Sequence, residues 1–154
     1  MEIKTNLKVF TEADVPTGPG ITKGQTLKQL AGDVNHPSER MTIRLAFFEP
    51  GTHENLHWHM IEAFYYVISG RAVVKDIEGK SYEIGPGSVV YAPPGIAAAH
   101  SWDCLEPLKL ISIRATAESE KTLQFDVDPN TLESSISIDF IKRRQVISFK
   151  KSIY

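Results

Sequence analysis

Two of the five histidines in the 154 residues, His57 and His59, stand one residue apart in the run Gly51-Thr52-His53-Glu54-Asn55-Leu56-His57-Trp58-His59-Met60-Ile61-Glu62. On an extended strand, residues two apart point to the same side, so this spacing presents two imidazoles in parallel and turns Trp58 the other way. Parallel imidazoles are a ready pair of metal ligands, although two hydrogen-bonded or surface histidines have the same spacing. A third histidine, His100, follows a segment bracketed by Gly85-Pro86-Gly87 and Pro93-Pro94-Gly95. The remaining chemistry-bearing residues read more plainly. His53 sits in a loop-like context, and His36, before Pro37, is expected to be extended and exposed. Tyr65 has the parity of the ligands and reads as core packing or cavity wall. Cys104 has no basic neighbour to activate it and reads as an inert small residue. Arg44, Arg71 and Arg114 are each able to clamp a carboxylate.

The elements that must hold these side chains are strands. Period-two alternation recurs along the chain and helical periodicity does not. In residues 41–47, Met41, Ile43, Leu45 and Phe47 share one face, which predicts a half-buried strand with that face inward. Residues 64–68 form a short aromatic and β-branched strand that stops at Ser69-Gly70. Residues 71–77 and 81–84 flank a Glu78-Gly79-Lys80 turn and read as a hairpin. Residues 88–92 form a strand cut off by Pro93-Pro94-Gly95, because proline cannot donate to a ladder. Residues 108–114 close the set. Short strands with glycine and proline at the corners predict an all-β sandwich or barrel. The division expected is an N-terminal arm with edge strands over 1–40, a barrel core over 41–115 and a C-terminal strand extension over 116–154, all within one domain. In that extension Ile136, Ile138 and Phe140 alternate with polar residues, and residues 146–149 are a second strand of a possible hairpin.

The order of these motifs resembles the cupin superfamily. Its first motif runs glycine, five residues, His-x-His, a short gap, glutamate, six residues, glycine; Gly51, His57, His59 and Gly70 match it. Its second motif is matched by Gly87, Pro93 and Gly95, with His100 two residues later than the pattern prescribes and no asparagine after it. The family's glutamate falls on Ala63, while the carboxylate stands one place earlier at Glu62. A one-residue slip reverses a strand side chain unless a bulge intervenes, so Glu62 is open to three roles: a fourth ligand, a base near the metal, or a surface carboxylate. The resemblance implies a cupin-type double-stranded β-helix, or jelly-roll barrel, with His57, His59 and His100 holding a metal inside.

Three neutral imidazoles suit Fe(II), Mn(II), Ni(II), Zn(II) or Cu(II), and affinity order alone does not choose among them. Three ligands leave open positions for a substrate with oxygen or water, whereas a structural zinc would be closed by thiolates. Within the superfamily, the run from His57 to Ala63 resembles the mononuclear iron dioxygenases related to gentisate and diketone cleavage. That implies Fe(II), a small phenolic, diketone or hydroxy-acid substrate, and Glu62 as the catalytic residue that steers a proton. Cupins also include metal-dependent isomerases, decarboxylases and lyases, and non-catalytic modules that bind a small ligand. Metal retention is expected to fall near pH 6, as the imidazoles protonate.

Composition bounds the partners. With 17 Lys+Arg against 19 Asp+Glu, a net charge of -2 does not supply the basic footprint of a nucleic-acid binder. No stretch approaches the roughly 18 apolar residues of a membrane span, and the first residues lack the apolar run of a secretory signal. One cysteine excludes an internal disulfide framework and fits a reducing compartment. A cytoplasmic protein acting on a small molecule is expected, as a homodimer paired through the C-terminal extension.

Overall fold

The computed structural model describes residues 1–142. Among them, twelve strands form two six-stranded sheets in which every pair is antiparallel. The strands are β1 (Gly18–Pro19), β2 (Gln25–Ala31), β3 (Thr42–Phe48), β4 (His53–His59), β5 (Ala63–Ser69) and β6 (Ala72–Asp76). They continue with β7 (Ser81–Ile84), β8 (Val89–Ala92), β9 (His100–Cys104), β10 (Leu108–Arg114), β11 (Gln124–Val127) and β12 (Ser134–Ile136). One sheet runs β1-β2-β3-β10-β5-β8 and the other β12-β11-β4-β9-β6-β7. Neighbours in space are mostly not neighbours in sequence, because from β3 to β11 the chain crosses between the sheets at every connection but β6–β7. This is the all-β sandwich expected from the strand pattern, with the jelly-roll strand order that the family resemblance implies.

The core lies between the sheets. On β5 the inward residues Ala63, Tyr65 and Val67 are buried while Phe64, Tyr66 and Ile68 are exposed. They pack with Leu27, Ala46, Phe48, Trp102 and Leu110, and each large side chain so buried contributes about 1.5–3 kcal/mol. The predicted hairpin is β6–β7, with Val73 opposite Glu83 and Val74 opposite Tyr82. Gly70 closes β5 at φ +86°, and a Cβ there would stand 2.0 Å from the Pro107 carbonyl oxygen, so no side chain fits.

Two expectations are corrected. On β3 the residues facing the interior are Thr42, Arg44, Ala46 and Phe48, not the apolar set of Met41, Ile43, Leu45 and Phe47. Both faces of this strand carry apolar residues, and the interior face also carries the polar groups of a site, so alternation alone picks the wrong side. The alternation of Ile136, Ile138 and Phe140 is not one strand either. Strand β12 ends at Ile136, and residues 138–142 are helical. The Ser137 hydroxyl accepts the Phe140 amide at 3.4 Å, and Phe140 is 1% exposed. The second strand expected over residues 146–149 lies outside the described residues. Among the described residues no helix is long and apolar enough to cross a membrane.

Candidate metal centre

Strand β4 delivers two of the three histidines. Its partner β9 delivers the third, with His57 directly opposite His100 across the ladder. The longer turn before His100 is a single 3-10 turn, Ile96–Ala98, entered through Gly95 at φ +102°. The Gly95 amide donates to the His59 carbonyl at 3.0 Å, which ties the second motif to the first.

The three rings converge. Ring centroids are 5.1 Å apart for His57 and His59, 4.5 Å for His57 and His100, and 6.0 Å for His59 and His100. One nitrogen from each lies within 4.8 Å of the others, the spread at which a single cation can be shared. Exposure is 1%, 2% and 4% for His57, His59 and His100. Nδ1 of His57 donates to the Asn55 carbonyl at 2.6 Å, and Nδ1 of His100 donates to the Ala98 carbonyl at 2.9 Å. These bonds fix the tautomer that leaves Nε2 a free lone pair, the arrangement found around metal-bound imidazoles. His100 Nε2 and His59 Nδ1 are buried with no hydrogen-bond partner. Orphaned buried nitrogens are costly unless a ligand satisfies them, and a metal ion is the ligand this donor set fits.

Electrostatics favour the neutral, ligating form. Burial pushes His57 down to about 4, against the opposing pull of the Asn55 carbonyl, with the Arg114 charge lowering it further. Burial also pushes His100 down to about 3, helped by His57. His59 is held well below the ordinary imidazole range, first by burial and then by Arg114.

Two further polar residues stand against the trio. The Tyr65 hydroxyl is 3.2 Å from Nε2 of His59, and burial raises its pKa, so it stays a hydroxyl. Glu54 is 8% exposed, with Oε1 3.9 Å from Nε2 of His57. Burial raises the Glu54 pKa despite the nearby positive charges. Glu54 escaped the sequence reading because of a register irregularity between Glu54 and His57. Simple alternation gives His53 the parity of His57; the shift puts Glu54 inward and leaves His53 outside, bound to Asp103 at 2.6 Å in an exposed pair.

Glu62 is not brought to the rings. Its carboxylate accepts the Tyr91 hydroxyl at 3.0 Å in an exposed pair, and the inward position beside it is Ala63, at 0% exposure. His36 is half-buried rather than exposed, its ring stacked on Phe10 with centroids 4.5 Å apart. Cys104 is buried, and its thiol donates to the Glu106 carbonyl. Of the three arginines, Arg71 pairs on the surface with Glu83 and Glu106, while Arg44 and Arg114 are buried. With Gln25, Glu54, Tyr65 and Ser112, those two line a narrow interior cavity of about 30 Å³. A second groove, of about 620 Å³ and largely apolar, reaches His100 from the surface past Val90, Ala92 and Ala98. Its size suits a small-molecule site.

Residues 44–114 match the cupin domain family model. Among solved structures, the chain is similar to the polyketide cyclase RemF from Streptomyces resistomycificus, at 21% identity and TM-score 0.61, over 71% of this chain and 79% of that one. It is similar to KdgF from Halomonas sp., at 19% identity and TM-score 0.62, over 73% of this chain and 98% of that one. It is also similar to oxalate decarboxylase from Bacillus subtilis, at 26% identity and TM-score 0.58, over 76% of this chain and 31% of that one. The chain thus spans about a third of the oxalate decarboxylase, and the first two likenesses bear on the fold alone. No curated protein matches the sequence.

Proposed function

From a cupin barrel whose interior gathers three neutral imidazoles, we propose that the protein is a metal-dependent enzyme that moves protons on a small oxygenated substrate, in an isomerisation, decarboxylation or elimination. The observation that carries this reading is the pair of proton-bearing groups against the trio: Glu54, 3.9 Å from His57, and Tyr65, 3.2 Å from His59. Bound by His57, His59 and His100, a divalent transition metal supplies a Lewis acid that polarises a substrate oxygen. Glu54, its pKa raised by burial, takes or returns a proton beside that oxygen. The Tyr65 hydroxyl donates a hydrogen bond without ionising. Val90, Ala92 and Ala98 line the apolar side of the groove that approaches His100. The name of one similar structure, a decarboxylase, is in keeping with proton chemistry.

A second reading, an iron dioxygenase, is favoured by one feature: the position of the family's glutamate is filled by buried Ala63, which leaves three imidazoles and no carboxylate ligand there. In that reading Fe(II) is the metal, and the proton-steering role expected of Glu62 passes to Glu54. The two are separated by loading the protein in turn with Fe(II), Mn(II), Ni(II) and Zn(II) and assaying β-diketones, catechols and hydroxy or keto acids in air and without oxygen. Anaerobic turnover supports the proton-transfer enzyme. Turnover only with Fe(II) and stoichiometric oxygen uptake overturns it in favour of the dioxygenase.

A further inference from the structure

The interior holds a buried cation whose donors are incompletely used. Arg114, at the end of β10, is 4% exposed. Its Nη1 donates to the Thr122 carbonyl at 3.3 Å, its Nη2 faces Nε2 of His59 at 3.4 Å, and its Nε is buried with no partner. Among the described residues no carboxylate lies within ion-pairing distance of it. The Glu54 carboxyl lines the same interior cavity as Arg114 and acts on the guanidinium electrostatically, but from beyond ion-pairing distance. A buried guanidinium with an unbonded donor is expensive, and proteins rarely retain one without a use for it.

Metal binding makes the imbalance worse. If His59 binds the metal through Nε2, the lone pair that accepts from Arg114 is taken. If it binds through Nδ1, Nε2 must carry the proton and can no longer accept. Either way Nη2 loses His59 as an acceptor, and the Tyr65 hydroxyl is the neighbour that remains to the guanidinium. Nε and Nη2 form one edge of the guanidinium, and together they are the fork that holds a carboxylate by two parallel hydrogen bonds. That edge adjoins the trio at His59, and Arg114 also lines the cavity of about 30 Å³, whose walls include a second guanidinium, Arg44, and the Glu54 carboxyl.

We infer that Arg114 is the anchor for the carboxylate of the substrate, which is therefore a small carboxylic acid held between the guanidinium edge and the metal. This rests on the metal reading of the same site. It adds a substrate class and a coupling: loading the metal frees the fork, so the carboxylate binds to the metal-loaded protein. Because the cavity is too small for more than a few atoms, the carboxylate end enters it, and the rest of the substrate lies toward the trio.

The test is calorimetric titration of Zn(II)-loaded protein with acetate and with acetamide, its neutral isostere, for the wild type, Arg114→Lys and Arg114→Met. Wild type is expected to bind acetate about 30-fold or more tighter than acetamide, and Arg114→Met is expected to lose that preference with its zinc content intact. Arg114→Lys, which keeps the charge and packs against the same walls, is expected to fall between them, and it serves if the methionine variant does not fold. Acetate affinity within about twofold of wild type in a zinc-replete variant, or no preference for acetate over acetamide in the wild type, overturns the anchor and leaves the metal reading standing. A wild type that takes up no zinc overturns the metal reading itself.

Discussion

Glu54 and His57 lie three residues apart on one strand, yet both side chains point into the barrel, with Oε1 of the first 3.9 Å from Nε2 of the second. A regular strand would send them to opposite faces. The register irregularity between them is therefore what gives the trio a carboxyl neighbour.

Glu54→Gln keeps the shape of the side chain and removes its ability to exchange a proton. Metal stoichiometry is expected to stay at the wild-type level while turnover of any substrate found falls by about 100-fold or more. Elemental analysis alongside steady-state kinetics checks this. Loss of metal in the variant would make Glu54 a ligand instead.

The pH dependence follows from the depressed imidazoles. His57 at about 4 and His100 at about 3 stand below the ordinary 6.5, so between those limits the unfolded chain binds protons that the folded chain does not. Stability of the metal-free protein is therefore full above pH 6.5, falls as pH drops through that window, and levels off below it. Metal retention follows the folded-state values, so release is expected toward pH 4 rather than near pH 6, where unperturbed imidazoles would release it. Equilibrium dialysis from pH 7 to pH 3.5 measures it; release centred at pH 6 to 6.5 would show that the rings are not desolvated as described.

Much of this site was legible in the sequence, and what was missed has identifiable causes. The His-x-His spacing and the glycine-bounded segments led to His57, His59 and His100, because strand parity and corner glycines are local properties. Glu54, Arg44 and Arg114 were not legible as a group. Glu54 is turned inward by an irregularity with no composition signal. Arg44 occupies the face of β3 that alternation assigns to solvent. The orientation of Arg114 depends on β10 pairing with both β3 and β5, a relation between distant segments. Polar residues inside a barrel invert the usual rule that the apolar face marks the core, and they do so where the chemistry is.

Tyr65→Phe removes the hydroxyl that faces His59 Nε2 and nothing else of comparable size. The metal-free protein is expected to lose about 1 kcal/mol in urea denaturation, with metal capacity retained. A loss of metal capacity would show that the hydroxyl, not the imidazole set, secures the ion.

Gly70→Ala places a methyl against the Pro107 carbonyl at a positive φ. Destabilisation of about 2 kcal/mol or more is expected from the clash and the strained backbone together, read as a drop in the denaturation midpoint. An unchanged midpoint would contradict the close approach of the β5 end to the segment before β10.

The central claim is that three imidazoles share one cation, and its most direct measurement is metal content per chain after reconstitution with Zn(II) and removal of excess ion. About one equivalent is expected in wild type and in His53→Ala, and less than about a tenth of that in each of His57→Ala, His59→Ala and His100→Ala with circular dichroism unchanged. Full metal content in those three folded variants, or loss of the ion on changing His53 alone, would contradict it.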